Sequence, residues 1–275
     1  MILHRVSDWD NAYANGANIA SGERWPGLWA TAAEAFRNQA TASSAARLGV
    51  EYGPRPRNRL DLFLPKGKPA GLAVYVHGGF WRLLDNSFGS HLAAGALAHD
   101  YAVAMPSYTL TPEVRVTEIG REIAAAIELA AGLVEGPIQL TGHSAGGQLA
   151  ARMATTTSPL SQRVASRIRN VVSIAGLHDL RPLTRLAYND DIRLDDAEAE
   201  LESPALLRPL EMIRLTCWVG QNERAEFIRQ SELLANIWRG LGVGTEAAQE
   251  PDRHHFTIVD GLADPDHGLV RALVR

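Results

Sequence analysis

A single cysteine, Cys217, stands in 275 residues. That scarcity excludes an internal disulfide and any thiolate cage for a metal, and it makes a reducing cytoplasm the expected setting. Its neighbours, LTCWV, are apolar and strand-like, so Cys217 is expected to be a small core residue and not a nucleophile. Runs of Lys or Arg are also missing: 27 basic residues face 31 acidic ones, for a formal charge of -4. Such a surface offers no electrostatic footprint for nucleic acid or an anionic membrane, and neither partner is expected. No apolar window approaches the length of a membrane span. The opening residues MILHRVSDWDNAYANG carry no basic segment leading into an apolar stretch, so neither a signal nor a transit peptide is expected. The adjacent pair His254 and His255 has no spaced His, Asp or Cys set around it. Metal-dependent chemistry is therefore not expected, and no cofactor is called for.

What is present is ordinary globular composition, with 46% apolar and 21% charged residues. Residues 1–46 read as a lead-in segment with an alanine-rich, helix-forming stretch. VEYG and RLDLFLP, separated by the turn-forming PRPRN, fit two half-exposed strands. From residue 71 onward, continuous β-rich runs (LAVYVH, YAVAMPS, IQLTGHS, VVSIAG, LTCWVG) alternate with helical stretches around 87–99, 115–134, 145–157 and 225–240. Strands apolar on both faces, alternating with helices, predict a mostly parallel sheet covered on both sides. No repeat or linker divides the chain, so 1–275 is expected to form one α/β domain. The acidic stretch 178–212 is the least strand-like. It reads as a solvated excursion, with a partial cap over a site as the alternative.

Residues 142–146 read Gly-His-Ser-Ala-Gly, between the apolar run PIQLT and the helix-like QLAARMAT. Strand, sharp turn, helix is the setting of the nucleophile elbow of α/β-hydrolases, where a strained bend projects a serine hydroxyl from the sheet edge. Ser144 is thus the candidate nucleophile. Upstream, another apolar run ends in His77-Gly78-Gly79-Phe80-Trp81. Acyl transfer places negative charge on a former carbonyl oxygen and needs fixed N–H donors around it. Gly78, Gly79 and Phe80, with Ala145 just after the serine, are the candidate oxyanion donors. His77 is read as a structural residue that orients the turn.

In this fold the acid and then the histidine follow the serine in the chain. Glu223, just beyond LTCWVG, is the candidate acid; Asp179, after VVSIAGLH, is its rival. A plain solvated carboxylate paired with Arg224 or Arg229 is the structural alternative for Glu223. His255 is preferred as base over His254 because Phe256 beside it could pack the ring. His267 reads as a surface residue at a helix start.

Together HGGFW at 77–81, GHSAGG at 142–147, VGQNERAEF at 219–227 and HHFTIVDGL at 254–262 resemble the kynurenine formamidase (arylformamidase) branch of esterase-type α/β-hydrolases. WDNAYANGANI near the start and RLDLFLP extend the likeness along nearly the whole chain. The resemblance implies an α/β-hydrolase fold, Glu223 as acid and His255 as base, and hydrolysis of a small-molecule aryl formamide or ester through an acyl-enzyme. The chain departs from the branch in having Glu223 where Asp is common, and His254 where Asp often precedes the histidine. A short-chain carboxylesterase or thioesterase, and a non-catalytic binding module, are the competing functions. For an aryl substrate, Phe80 and Trp81 are candidate pocket walls. Tyr13 and Asn15 are candidates for covering the site, while an arginine for a substrate carboxylate cannot be picked from the sequence, Arg82 being suggested by its position in the chain alone.

Overall fold

The β-rich runs form the middle of an eight-stranded sheet in a computed structural model that describes residues 5–275; residues 1–4 of the expected lead-in lie outside the described residues. The strands are β1 (Ala46–Glu51), β2 (Arg59–Phe63), β3 (Gly71–Val76), β4 (Tyr101–Pro106), β5 (Ile138–His143), β6 (Ile168–Ile174), β7 (Arg214–Gly220) and β8 (Gly244–Glu250). Their spatial order is β1-β2-β4-β3-β5-β6-β7-β8. Strands β3 to β8 pair in parallel, whereas β2 runs antiparallel to both β1 and β4. Every residue of β3 and of β5 is buried, as strands covered on both faces require.

The helices are α1 (Trp9–Tyr13), α2 (Trp25–Ala42), α3 (Ala94–Ala98), α4 (Val116–Leu133), α5 (Ala145–Met153), α6 (Gln162–Ala165), α7 (Asn189–Ile192), α8 (Asp196–Leu201), α9 (Ala225–Gly240) and α10 (Gly268–Val274). Among the described residues no helix is long and apolar enough to cross a membrane. Cys217 lies in β7, fully buried, and burial pushes its thiol up to about 12. It is a core residue, too weakly ionised to act as a nucleophile.

Three expectations need correction. Strand β2 is not half-exposed: Leu60 to Phe63 are all buried, with Phe36 of α2 packed edge-on against Phe63 at 5.3 Å and α4 also touching the strand. Asp61 tolerates this because its carboxylate accepts the Gly49 N–H at 2.9 Å. The stretch 87–99 is two 3₁₀ turns followed by the five-residue α3, not one helix. Finally, 178–212 is no solvated excursion. Leu180, Leu183, Leu186, Ile192, Leu194 and Ala199 are buried, and Tyr188 reaches the pocket described below.

The sheet brings the carboxyl ends of β3, β5, β7 and β8 to one edge, where ligands bind in open α/β sheets. Close approach at this edge is set by glycine. A Cβ on Gly146 would lie 2.0 Å from the carbonyl oxygen of Val76, so α5 can start against the end of β3 only without a side chain there. Gly146→Ala is expected to lower stability by about 1–3 kcal/mol, the usual range for overpacking. A urea midpoint equal to that of the unsubstituted protein would contradict it.

Candidate active site

The turn after β5 holds Ser144 at φ 55° and ψ −119°, a conformation a non-glycine residue adopts only when its surroundings impose it. The bend is fixed from both sides. The Ser144 N–H donates to the carbonyl of Ile174 at 2.8 Å, while its own carbonyl accepts from the N–H groups of Gly147 and Gln148 at 2.9 and 3.2 Å. Helix α5 therefore starts at the residue after the serine, and the Ala145 N–H is left at its positively polarised end with no backbone acceptor among the described residues.

Beyond β3, Gly79, Phe80 and Trp81 follow one another at φ 107°, 50° and 57°. Three consecutive left-handed residues turn the chain tightly enough that Arg82 and Leu83 both donate to the Gly79 carbonyl. A Cβ on Gly79 would meet the Leu83 carbonyl oxygen at 2.4 Å, so the turn tolerates only glycine there. Gly79 and Phe80 border the same pocket as Ser144, and among the described residues their N–H groups have no backbone acceptor. Gly78 sits behind that wall, its α-carbon packed on the elbow: a Cβ there would be 2.8 Å from the His143 carbonyl oxygen. His77 is structural, as expected. Its ring stacks on Tyr108 at 4.2 Å, its Nδ1–H donates to the Gly78 carbonyl at 2.8 Å, and burial pulls its pKa down to about 4.

Trp81 does not line the pocket, which corrects its expected role as a substrate wall. It is fully buried, and its Nε1–H donates to Oε1 of Gln148 on α5 at 3.2 Å. Phe80 borders the pocket, while Trp81, its ring edge-on to that of Phe80 at 6.5 Å, ties the turn to the helix behind it.

Glu223 and His255 meet at the far end of the edge. The loops after β7 and β8 are joined by Gln221 N–H to the Glu250 carbonyl at 2.8 Å and Asn222 N–H to the Arg253 carbonyl at 2.9 Å. That pairing leaves Glu223 Oε2 2.7 Å from His255 Nδ1, with both side chains buried. Because the carboxylate only accepts, Nδ1 carries the proton, and a neutral His255 keeps its lone pair on Nε2. Phe227 at 4.6 Å and His143 at 4.5 Å hold the imidazole. The ring of Phe256, expected to pack it, lies farther off at 5.9 Å. His143 borders the pocket too, and burial followed by the charge of His255 drives its pKa well below the ordinary value. It stays uncharged and does not oppose protonation of its neighbour.

The rivals are engaged elsewhere. Asp179 forms a bidentate pair with Arg181 at 2.8 and 3.0 Å. His254 packs against Trp25 at 5.3 Å and its Nδ1 accepts the Phe256 N–H. His267 caps α10 through the Leu269 N–H and lies 3.3 Å from Glu250. His254→Ala is accordingly expected to change kcat by no more than about fivefold. A loss comparable to that of His255→Ala would transfer the role between them.

Ser144 and His255 open on one cavity of about 230 Å³. Its aromatic wall is Trp29, Phe80, Tyr188 and Phe256, with Leu83 and Leu84 completing the apolar surface. Tyr13 is fully buried; its ring borders the cavity, while its hydroxyl donates to Glu226 at 2.8 Å and accepts from Gln230 at 3.1 Å. Trp29, His143 and Tyr188 were not singled out by sequence reasoning. Trp29 and Tyr188 come from segments with no motif. His143 carried a usable signal, since it is the variable residue inside the elbow motif.

Comparison with known proteins agrees with this architecture. Residues 60–209, more than half of the chain, match the BD-FAE family. A kynurenine formamidase of Danio rerio is 26% identical over 239 residues, covering 83% of this chain and 80% of that protein. A solved structure from a Silicibacter species, whose description proposes a thioesterase, is 45% identical with a TM-score of 0.91, covering 98% of this chain and 99% of that one. An esterase of Pyrobaculum calidifontis shares the fold at a TM-score of 0.66 and 18% identity, over 78% of each chain. The chain belongs to the BD-FAE family, in the kynurenine formamidase-like branch of α/β-hydrolase esterases.

Proposed function

We propose that the chain hydrolyses small aryl formamides or carboxylic esters through an acyl-enzyme on Ser144, with His255 as base and Glu223 as its carboxylate partner. The observation that carries this reading is the buried 2.7 Å contact between His255 Nδ1 and Glu223 at the wall of the cavity onto which the strained Ser144 opens. In the first step the Ser144 hydroxyl gives its proton to His255 Nε2 while Oγ bonds to the scissile carbonyl carbon. The resulting oxyanion is received by the N–H groups of Ala145 and of the 78–80 turn, where Gly79 and Phe80 border the cavity. The C–N or C–O bond then breaks, and His255 returns the proton to the departing nitrogen or oxygen. Water repeats the sequence on the acyl group, releasing the acid and restoring Ser144.

A formyl group needs little room on the acyl side, and the aromatic wall suits an aryl leaving portion. N-formylkynurenine is therefore the first substrate to test. A thioester substrate is the second reading, favoured by the likeness to the Silicibacter protein. Steady-state rates on N-formylkynurenine, aryl acetates and acyl thioesters decide between them. A folded protein that takes no fluorophosphonate label on Ser144 would sink both. The lone thiol in the core is in keeping with a cytoplasmic, reducing setting.

A further inference from the structure

Among the described residues that border the cavity, Arg82 alone carries a permanent charge, with no Lys, Asp or Glu beside it. A cation on the wall of an aromatic cavity gives up hydration, a cost that an anion entering the cavity would offset. The Arg82 side chain is within reach of such a group: it is 24% exposed, and Tyr188, on which it stacks, is 43% exposed.

The turn after β3 sets where this charge stands. The Arg82 N–H donates to the Gly79 carbonyl at 2.9 Å, which fixes the point at which the side chain leaves the backbone. The guanidinium carbon lies 4.8 Å from the centre of the Tyr188 ring, and that ring meets Phe80 edge-on at 5.7 Å. Arg82, Tyr188 and Phe80 all border the cavity, so the cation is carried on its aromatic wall. Asp191 accepts from Nη2, yet it does not border the cavity, and its side chain is 47% exposed. The positive member of the pair therefore belongs to the cavity and the negative member does not. Among the described residues Nε and Nη1 have no acceptor, which leaves donors of the guanidinium uncommitted. Stability does not account for the arrangement, because an ion pair with a half-exposed partner contributes little.

We infer that Arg82, stacked on Tyr188 and steadied by Asp191, binds a carboxylate on the substrate, so that the cavity selects anionic esters or amides over neutral ones of the same shape. The inference rests on the hydrolase reading above and deepens it by naming a substrate class. A guanidinium suits this task because its planar N–H donors match the two oxygens of a carboxylate and remain charged at any working pH.

The test pairs each anionic ester with a neutral ester of similar shape: 3-acetoxybenzoate with 3-acetoxybenzamide, and 4-acetoxybenzoate with 4-acetoxybenzamide. The ratio of kcat/KM, acid over amide, is measured in the unsubstituted protein, Arg82→Gln and Arg82→Lys, and intrinsic reactivity cancels when ratios are compared between proteins. Arg82→Gln is expected to lower the ratio roughly five- to fiftyfold in at least one series, and Arg82→Lys to recover part of the loss. A ratio that Arg82→Gln leaves unchanged in both series overturns the inference. So does a fall that Arg82→Lys does not relieve, since the charge would then not be its cause. Salt gives a second measurement on the unsubstituted protein, should Arg82→Gln fail to fold. Raising KCl from about 20 to about 500 mM is expected to lower the ratio severalfold, although the chain's net charge of -4 would by itself make salt favour the anion. A ratio that stays level or rises with salt overturns the inference. Failure to hydrolyse any of the four esters or any formamide would sink the hydrolase reading alone, and calorimetry with 3- and 4-hydroxybenzoate against the corresponding hydroxybenzamides then decides the inference. Tighter binding of an acid that is abolished in Arg82→Gln supports it; no such preference overturns it.

Discussion

Ser144→Ala is expected to reduce kcat by at least about a thousandfold while the protein keeps its fold and its affinity for substrate. The size follows from what the hydroxyl alone supplies. Its strained backbone is held by hydrogen bonds of the main chain, to Ile174 on one side and from Gly147 and Gln148 on the other, none of which uses the side chain. Alanine therefore inherits the same bend, and the N–H groups of Ala145, Gly79 and Phe80 remain where they are. What is lost is the atom that bonds to the acyl carbon. Residual turnover would come only from water attacking substrate held beside the oxyanion donors. His255→Ala should fall as far, since a serine without its base is a poor nucleophile, and the double variant should be little worse than either single one. Steady-state rates with active-site titration by a fluorophosphonate check both points. A Ser144→Ala protein that retained a tenth of the activity would mean that acyl transfer proceeds through another group.

The parts of this site that could be read from the chain are those in which chemistry and backbone geometry are encoded by adjacent residues. Gly142 to Gly146 is such a case, because the bend that exposes the serine and the close approach of α5 to β3 constrain neighbouring positions. The His77–Trp81 turn is another, although only Phe80 borders the pocket and Trp81 is bonded to Gln148 instead. That outcome depends on a tight left-handed turn, which residue type did not disclose. Trp29 and Tyr188 reach the cavity from two distant segments, and nothing local to them signals a pocket. The fold divides in the same way. Central strands announced themselves as unbroken apolar runs, whereas the alternation in β2 suggested a solvent face that α2 and α4 in fact cover. Stretch 178–212 misled through its aspartates. Apart from the buried Asp179 they are spread along the outside, with Asp191 paired to Arg82 and Asp195 to Arg115, while leucines between them fill the interior.

The acid is the assignment on which sequence left a real choice, and substitution separates the candidates by orders of magnitude. Glu223→Gln preserves the length of the side chain and can still accept from His255 Nδ1, so the ring need not move. It removes the negative charge that stabilises the imidazolium formed when Ser144 attacks, and an amide turned the other way would present N–H to Nδ1 and favour the wrong tautomer. A loss in kcat of about a hundred- to ten-thousandfold is expected, with KM nearly unchanged, because the charge matters chiefly once the proton has been transferred. Asp179→Asn removes a charge from a carboxylate already committed to Arg181, on a segment whose backbone is fixed independently by Gln230. Its expected effect is on stability, within about 1 kcal/mol for a pair whose arginine is half exposed, with kcat altered by less than about fivefold. The reverse order of the two losses would require the imidazole to turn away from Glu223, breaking a buried 2.7 Å contact and leaving that carboxylate without a partner among the described residues, where its Oε1 already has none.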